Sequence, residues 1–138
     1  CKVLICGEGP LDKKLKTCNC VELLGYKTQN ELKSIAEKCD LFCLLSLYEP
    51  WGLVIHELAS QGLPIVASSN CGSAFNLVYD NYNGFILKSN DNQEIKETLL
   101  KYINSDKNFK IQMSKNSKRI SYKIDNDIWS STLLSLYS

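Results

Sequence analysis

Apolar positions along the chain fall into two kinds of segment that alternate: short continuous runs, and longer stretches in which apolar residues recur every three or four positions. Residues 2–6 form a first run, predicted as a strand, that ends in Gly7-Glu8-Gly9-Pro10. Proline there suits the opening of a short helix reaching about Thr17. A second strand over 20–24 is closed by Gly25. Thr28 or Asn30 is placed to cap a helix through Lys38, whose Leu32, Ile35 and Ala36 share one face. Residues 41–45 are apolar throughout, which predicts a strand in a sheet covered on both sides. A helix over 53–61 stops at Gly62, and the strand after it, 63–67, begins where Pro64 is tolerated. Beyond the turn Asn81-Tyr82-Asn83-Gly84, residues 84–87 form the last strand. The remainder reads as helices over 91–103, 106–121 and 126–137. Alternating strands and helices joined by right-handed crossovers predict an α/β fold: a doubly wound parallel sheet with a helical C-terminal tail.

Composition fits one domain of this kind. With 138 residues, 44% hydrophobic and 22% charged, the chain can bury a core, and no internal repeat or long linker divides it. A net charge of +1, with lysines dispersed among acidic residues, leaves no electrostatic footprint for nucleic acid. No stretch approaches the roughly 18 apolar residues of a membrane span, and the start lacks a basic segment followed by an apolar one. The seven cysteines are odd in number, three lie inside strongly apolar runs, and none forms a Cys-x-x-Cys pair. With His56 as the sole histidine, no structural zinc site is expected. Reduced thiols in a cytoplasmic protein are the expectation.

Three motifs invite chemistry. Gly7-Glu8-Gly9-Pro10-Leu11-Asp12 has two glycines of a dinucleotide fingerprint, but Asp12 stands at the third and Pro10 removes an amide. A tight strand-to-helix turn accounts for these glycines without ligand contact. Asp125-Asn126-Asp127 has the spacing of a divalent-metal motif, yet falls at a predicted helix start, where aspartates cap free amides. The third is Glu49-Pro50-Trp51-Gly52-Leu53-Val54-Ile55-His56-Glu57. Here Glu49 sits in the turn at a strand's carboxyl end, the edge where open α/β sheets bind ligands, and Glu57 lies about one turn into the next helix. Amides at that helix start favour a diphosphate, and Gly52 lets it approach closely. Glu57 suits a ribose diol, accepting two hydrogen bonds. Glu49 would lie nearer the transferred group, holding hydroxyls or offsetting positive charge. Both carboxylates could equally be solvated surface charges.

This segment resembles the E-x7-E signature of retaining glycosyltransferases with the two-domain GT-B fold, family 4 type, often called glycosyl transferases group 1. The similarity extends in order through Val3-Leu4-Ile5-Cys6-Gly7-Glu8-Gly9-Pro10, Val21-Glu22-Leu23-Leu24-Gly25, the apolar strand ending in Ser46, Gly52 through Ala67, and Asn83-Gly84-Phe85, covering roughly residues 2–104. The resemblance implies a Rossmann-like carboxyl-terminal, donor-binding half that transfers a sugar from a nucleotide diphosphate sugar to a glycan or lipid-linked acceptor. The anomeric configuration would be retained and no metal or other cofactor required. It places the donor sugar at Glu49, the ribose at Glu57, the phosphates and sugar at the amides of Gly52, Leu53 and Val54, with Trp51 and Gly9 also bordering the donor. The base would lie beside Tyr26 and Lys27.

The sequence departs from the family pattern at several points. Where relatives have Gly-Gly-x-x-Glu, this chain has Cys71-Gly72-Ser73-Ala74-Phe75-Asn76, so that acidic side chain is absent and donor preference is expected to shift. Trp51 stands for the commoner phenylalanine, and His56 is expected to pack rather than catalyse. The family's first strand and helix, with an arginine and lysine that clamp the diphosphate, and the acceptor-binding amino-terminal domain have no counterpart in these residues. A fragment of a longer enzyme, or a degenerate relative, is the expectation, one that pairs its remaining strands differently, dimerises or stands only marginally stable, binds donor weakly and transfers nothing alone. The full enzyme would then work in the cytoplasm or at the cytosolic face of a membrane. Two other functions fit the same half: a non-catalytic nucleotide-sugar binding module, and a nucleotide-sugar epimerase.

Overall fold

The computed structural model describes residues 1–89 and 91–122. The expected helix over 126–137 and the motif Asp125-Asn126-Asp127 lie outside them. The chain divides into two compact units, Cys1–Ile35 and the remainder from Ala36 onward.

In the first unit, β1 (Val3–Cys6) and β2 (Val21–Gly25) pair in parallel with Val3 opposite Val21 and Ile5 opposite Leu23. A register shift after Ile5 puts Cys6 opposite Gly25, and Gly7 donates its amide to the Gly25 carbonyl at 2.8 Å. Between the strands, α1 is one turn, Asp12–Leu15, shorter than expected. The chain before it is taken up by a turn in which Asp12 donates its amide to Gly9 and accepts from the Gly9 amide, both at 3.1 Å. Helix α2 (Gln29–Ala36) is capped by Thr28 and not Asn30. Thr28 Oγ1 accepts from the Glu31 amide at 3.4 Å, and the Glu31 carboxylate accepts from the Thr28 amide at 2.8 Å, a reciprocal capping box.

The second unit holds β3 (Phe42–Leu44), β4 (Ile65–Ser68) and β5 (Gly84–Leu87), all parallel with β4 in the middle. Hydrogen bonding among the five strands therefore gives a two-stranded and a three-stranded sheet where the sequence predicts one. Every residue of β4 is buried. Phe42, Leu44, Ile65, Ala67 and Ile86 point to one side, against Ile55, Leu58 and Ala59 of α3 (Leu53–Ser60), Ala74 and Leu77 of α4 (Ala74–Leu77), and Ile120. Leu41, Leu45, Val66, Phe85 and Leu87 point to the other, against Ile95, Leu99 and Tyr102 of α5 (Asn92–Asn104) and Phe109 and Met113 of α6 (Lys107–Ser121). Helices on both faces of a parallel sheet are the doubly wound arrangement.

Boundaries depart from expectation for local reasons. Strand β3 is shorter than 41–45 because it pairs only with β4 and its ladder ends at Leu44. Strand β4 starts two residues late. Leu63 gives its amide to Leu58 at 3.1 Å in closing α3, and Pro64 has none to give. Gly62, at φ +85°, ends α3 as the sequence indicates.

Candidate functional site

Leaving β3, the chain crosses residues 45–52 and enters α3, and this connection is fastened to the loop that follows β4. Glu49 donates its amide to Asn70 at 3.0 Å, and its carbonyl accepts from Gly72 at 3.1 Å. Ser73 donates its amide to Trp51 at 2.8 Å and its hydroxyl to Gly52 at 3.1 Å. The two backbones approach so closely that a Cβ on Gly72 would lie 2.2 Å from the Pro50 carbonyl oxygen. The Glu49 side chain leans over Gly52, its Cγ 3.1 Å from where a Cβ would stand. Buried Cys71 lies nearby; burial, and then the Glu49 charge, push its thiol above the ordinary value, against hydrogen bonds from Ser46.

Gly52 is the N-cap of α3, in the left-handed region at φ +82°, and offers no capping side chain. Its carbonyl accepts from Ile55 at 3.0 Å. Among the described residues no protein acceptor is found for the amides of Gly52, Leu53 or Val54. Those amides carry the positive end of the helix dipole. Ile55, Leu58 and Ala59 face the core. Leu53 and Glu57, four residues apart, share the opposite, more open side, where Leu53 is exposed and Glu57 half-buried. His56 donates from Nε2 to the Ser121 carbonyl at 2.9 Å, a packing contact with α6. Trp51 is 46% exposed.

Gly9, Tyr26 and Lys27 belong to the first unit. The Gly9 amide donates to the Asp12 carboxylate at 3.1 Å. Tyr26 is 80% exposed just beyond β2. Lys27 stands 3.9 Å from Glu31 and borders a recess of about 410 Å³ lined also by Leu24, Asn30, Ser34 and Ile35. Sequence reasoning missed the single turn α4, and it missed Ser73, for which the signal present was a run of small residues, Cys71-Gly72-Ser73-Ala74, that follows a buried strand after two intervening residues. Among the described residues no cluster of histidine, cysteine, aspartate or glutamate could hold a metal ion, and no helix is long and apolar enough to cross a membrane.

The segment thus combines a turn into a helix whose first amides have no acceptor among the described residues with one carboxylate before it and another one turn inside. The family described as Glycosyl transferases group 1 matches residues 1–120. The chain belongs to this family. An uncharacterised glycosyltransferase of Methanocaldococcus jannaschii is 30% identical over 123 residues, covering 85% of this chain and 34% of that protein. The amylovoran biosynthesis glycosyltransferase AmsK of Erwinia amylovora is 32% identical over 110 residues, 70% of this chain and 27% of the relative. This glycosyl transferases group 1 chain thus spans about a third of the length of such relatives. The crystal structure of Anabaena HepE in complex with UDP-glucose superposes with a TM-score of 0.77 at 27% identity, over 97% of this chain and 41% of that one. TarM, at 21% identity and a TM-score of 0.81, shares the fold. The α/β architecture is that of GT-B glycosyltransferases.

Proposed function

We propose that this chain is the nucleotide-sugar-binding, carboxyl-terminal part of a retaining glycosyltransferase of the family 4 type, carrying the E-x7-E pair at Glu49 and Glu57. The observation that carries this reading is one continuous segment: Glu49 in the turn, three amides at Gly52, Leu53 and Val54 with no acceptor among the described residues, and half-buried Glu57 a turn further along α3. Such amides favour the diphosphate and stabilise its negative charge as it leaves. An ionised Glu57 accepts two hydrogen bonds from a ribose diol. Glu49, beside Gly52, is placed for the donor sugar, where its charge offsets positive charge growing at the anomeric carbon. The complex of Anabaena HepE with UDP-glucose supports this class of donor. Sugar transfer to a glycan or lipid-linked acceptor would belong to a longer chain, with no metal or other cofactor needed for donor binding by these residues.

The test is a titration of the chain with UDP, GDP and ADP, by ligand-observed NMR, with Glu57→Ala alongside and the 2′-deoxy form of whichever nucleotide binds. Base-selective binding, weakened roughly tenfold or more both in Glu57→Ala and with the deoxy nucleotide, is expected. Equal binding of ribo- and deoxyribonucleotides would remove Glu57 from the ribose.

A further inference from the structure

Ser73 is fully buried and grips the turn from behind. Its amide holds the Trp51 carbonyl at 2.8 Å and its hydroxyl holds the Gly52 carbonyl at 3.1 Å. In a planar trans peptide the carbonyl and the next residue's amide point in opposite directions. Fixing the Trp51 carbonyl therefore aims the Gly52 amide, and fixing the Gly52 carbonyl aims the Leu53 amide. These are two of the three amides for which no acceptor is found among the described residues. The turn needs such a restraint, because Gly52 at φ +82° has the widest conformational freedom of any residue and no capping side chain of its own. We propose that Ser73 is a positioning residue that pre-aims the Gly52 and Leu53 amides at the donor diphosphate.

The backbone bond from Ser73 survives substitution by alanine or glycine, whereas the hydroxyl bond does not, so the hydroxyl can be tested alone. Ser73 itself is anchored independently: its carbonyl accepts from Asn76 at 3.1 Å and Leu77 at 3.0 Å in opening α4. The Gly52 carbonyl also accepts from the Ile55 amide at 3.0 Å, so removing the hydroxyl should leave the loop in place and loosen the peptide between Gly52 and Leu53 without freeing it. Donors already aimed at the place where charge develops are effective because they need no reorganisation on binding.

This inference rests on the nucleotide-sugar reading for its ligand but not for its geometry, and the experiment has an arm for each. In the ligand-free chain, Ser73→Ala and Ser73→Gly should both move the Gly52 carbonyl carbon resonance and raise the mobility of the Leu53 amide, with Ile65 and Phe85 in the sheet unchanged. In the second arm, UDP should bind either variant roughly 2- to 10-fold more weakly than the parent, while uridine is unaffected. Unchanged Gly52 and Leu53 resonances in both variants overturn the inference whether or not UDP binds. Altered resonances with undiminished UDP binding overturn it as well. A parent chain that binds no nucleoside diphosphate removes the ligand reading, and with it the diphosphate role, while the resonances still report whether Ser73 holds the turn. Should Ser73→Ala fail to fold, Ser73→Gly, which has no side chain to accommodate, decides both arms.

Discussion

Gly72 lies so near Pro50 that a methyl group would be driven into its carbonyl, 2.2 Å away. Backbone cannot yield there as a flexible side chain would, so Gly72→Ala is expected to destabilise the chain by about 1–3 kcal/mol in urea unfolding. It should also shift the resonances of Glu49 and Gly52. Asn83 makes a comparable demand in the core. Its side chain donates to Leu77 at 2.7 Å and accepts from the Tyr79 amide at 2.8 Å, and its carbonyl accepts from Ile65 and Ser117. Asn83→Ala removes both side-chain hydrogen bonds in the core and should cost roughly 2–4 kcal/mol. A loss below about 1 kcal/mol would show that water or a shifted side chain replaces both bonds. Asn83 was legible as a residue of a turn, and Gly72 as part of a departure from the family pattern. What they hold together was not, since Pro50 and Gly72, like Asn83 and Ser117, meet only across the fold.

Among the elements, α2 offers the sharpest pH test. Hydrogen bonds from the Thr28 amide, then from its hydroxyl, hold the Glu31 carboxyl below its ordinary value, and Lys27 adds a smaller push in the same direction. A lowered value in the folded state means a contribution to stability that is present above the ordinary glutamate range and lost as pH falls through the lowered one. Amide signals of α2 should therefore report fraying below about pH 4.5, earlier than those of α5 or α6. Glu31→Gln should abolish the pH dependence at α2; an unchanged acid profile would contradict the capping account. The cap at Thr28, the stop at Gly62 and the strand 84–87 were readable because each depends on neighbours in sequence. Strand β3 was overread, since a continuous apolar run says nothing of how many partners the strand has. Helix α4 was missed because four residues without a periodic face carry no signal.

Taken whole, the chain is uneven in its burial. All four residues of β4 are buried and helices cover both faces of its sheet, whereas no residue of β1 or β2 is fully buried. Backbone amides of β4 are thus expected to exchange with solvent hydrogen orders of magnitude more slowly than those of β1 and β2, which open at lower cost. Similar protection in both sheets would mean that the first unit is more stable than its own contacts provide. The doubly wound class was legible from alternation alone, and the segment from Glu49 to Glu57 from the resemblance. The division of the strands between two sheets was not, because strand pairing is a long-range property that local pattern does not encode.

The central claim is that the amino end of α3 receives a nucleoside diphosphate, and the most direct measurement maps it amide by amide. Adding UDP, GDP or ADP to the ¹⁵N-labelled chain should move the Gly52, Leu53 and Val54 amides first and furthest for at least one nucleotide, with Glu57 following. Saturable shifts confined to other residues, or none up to millimolar nucleotide, would contradict the account.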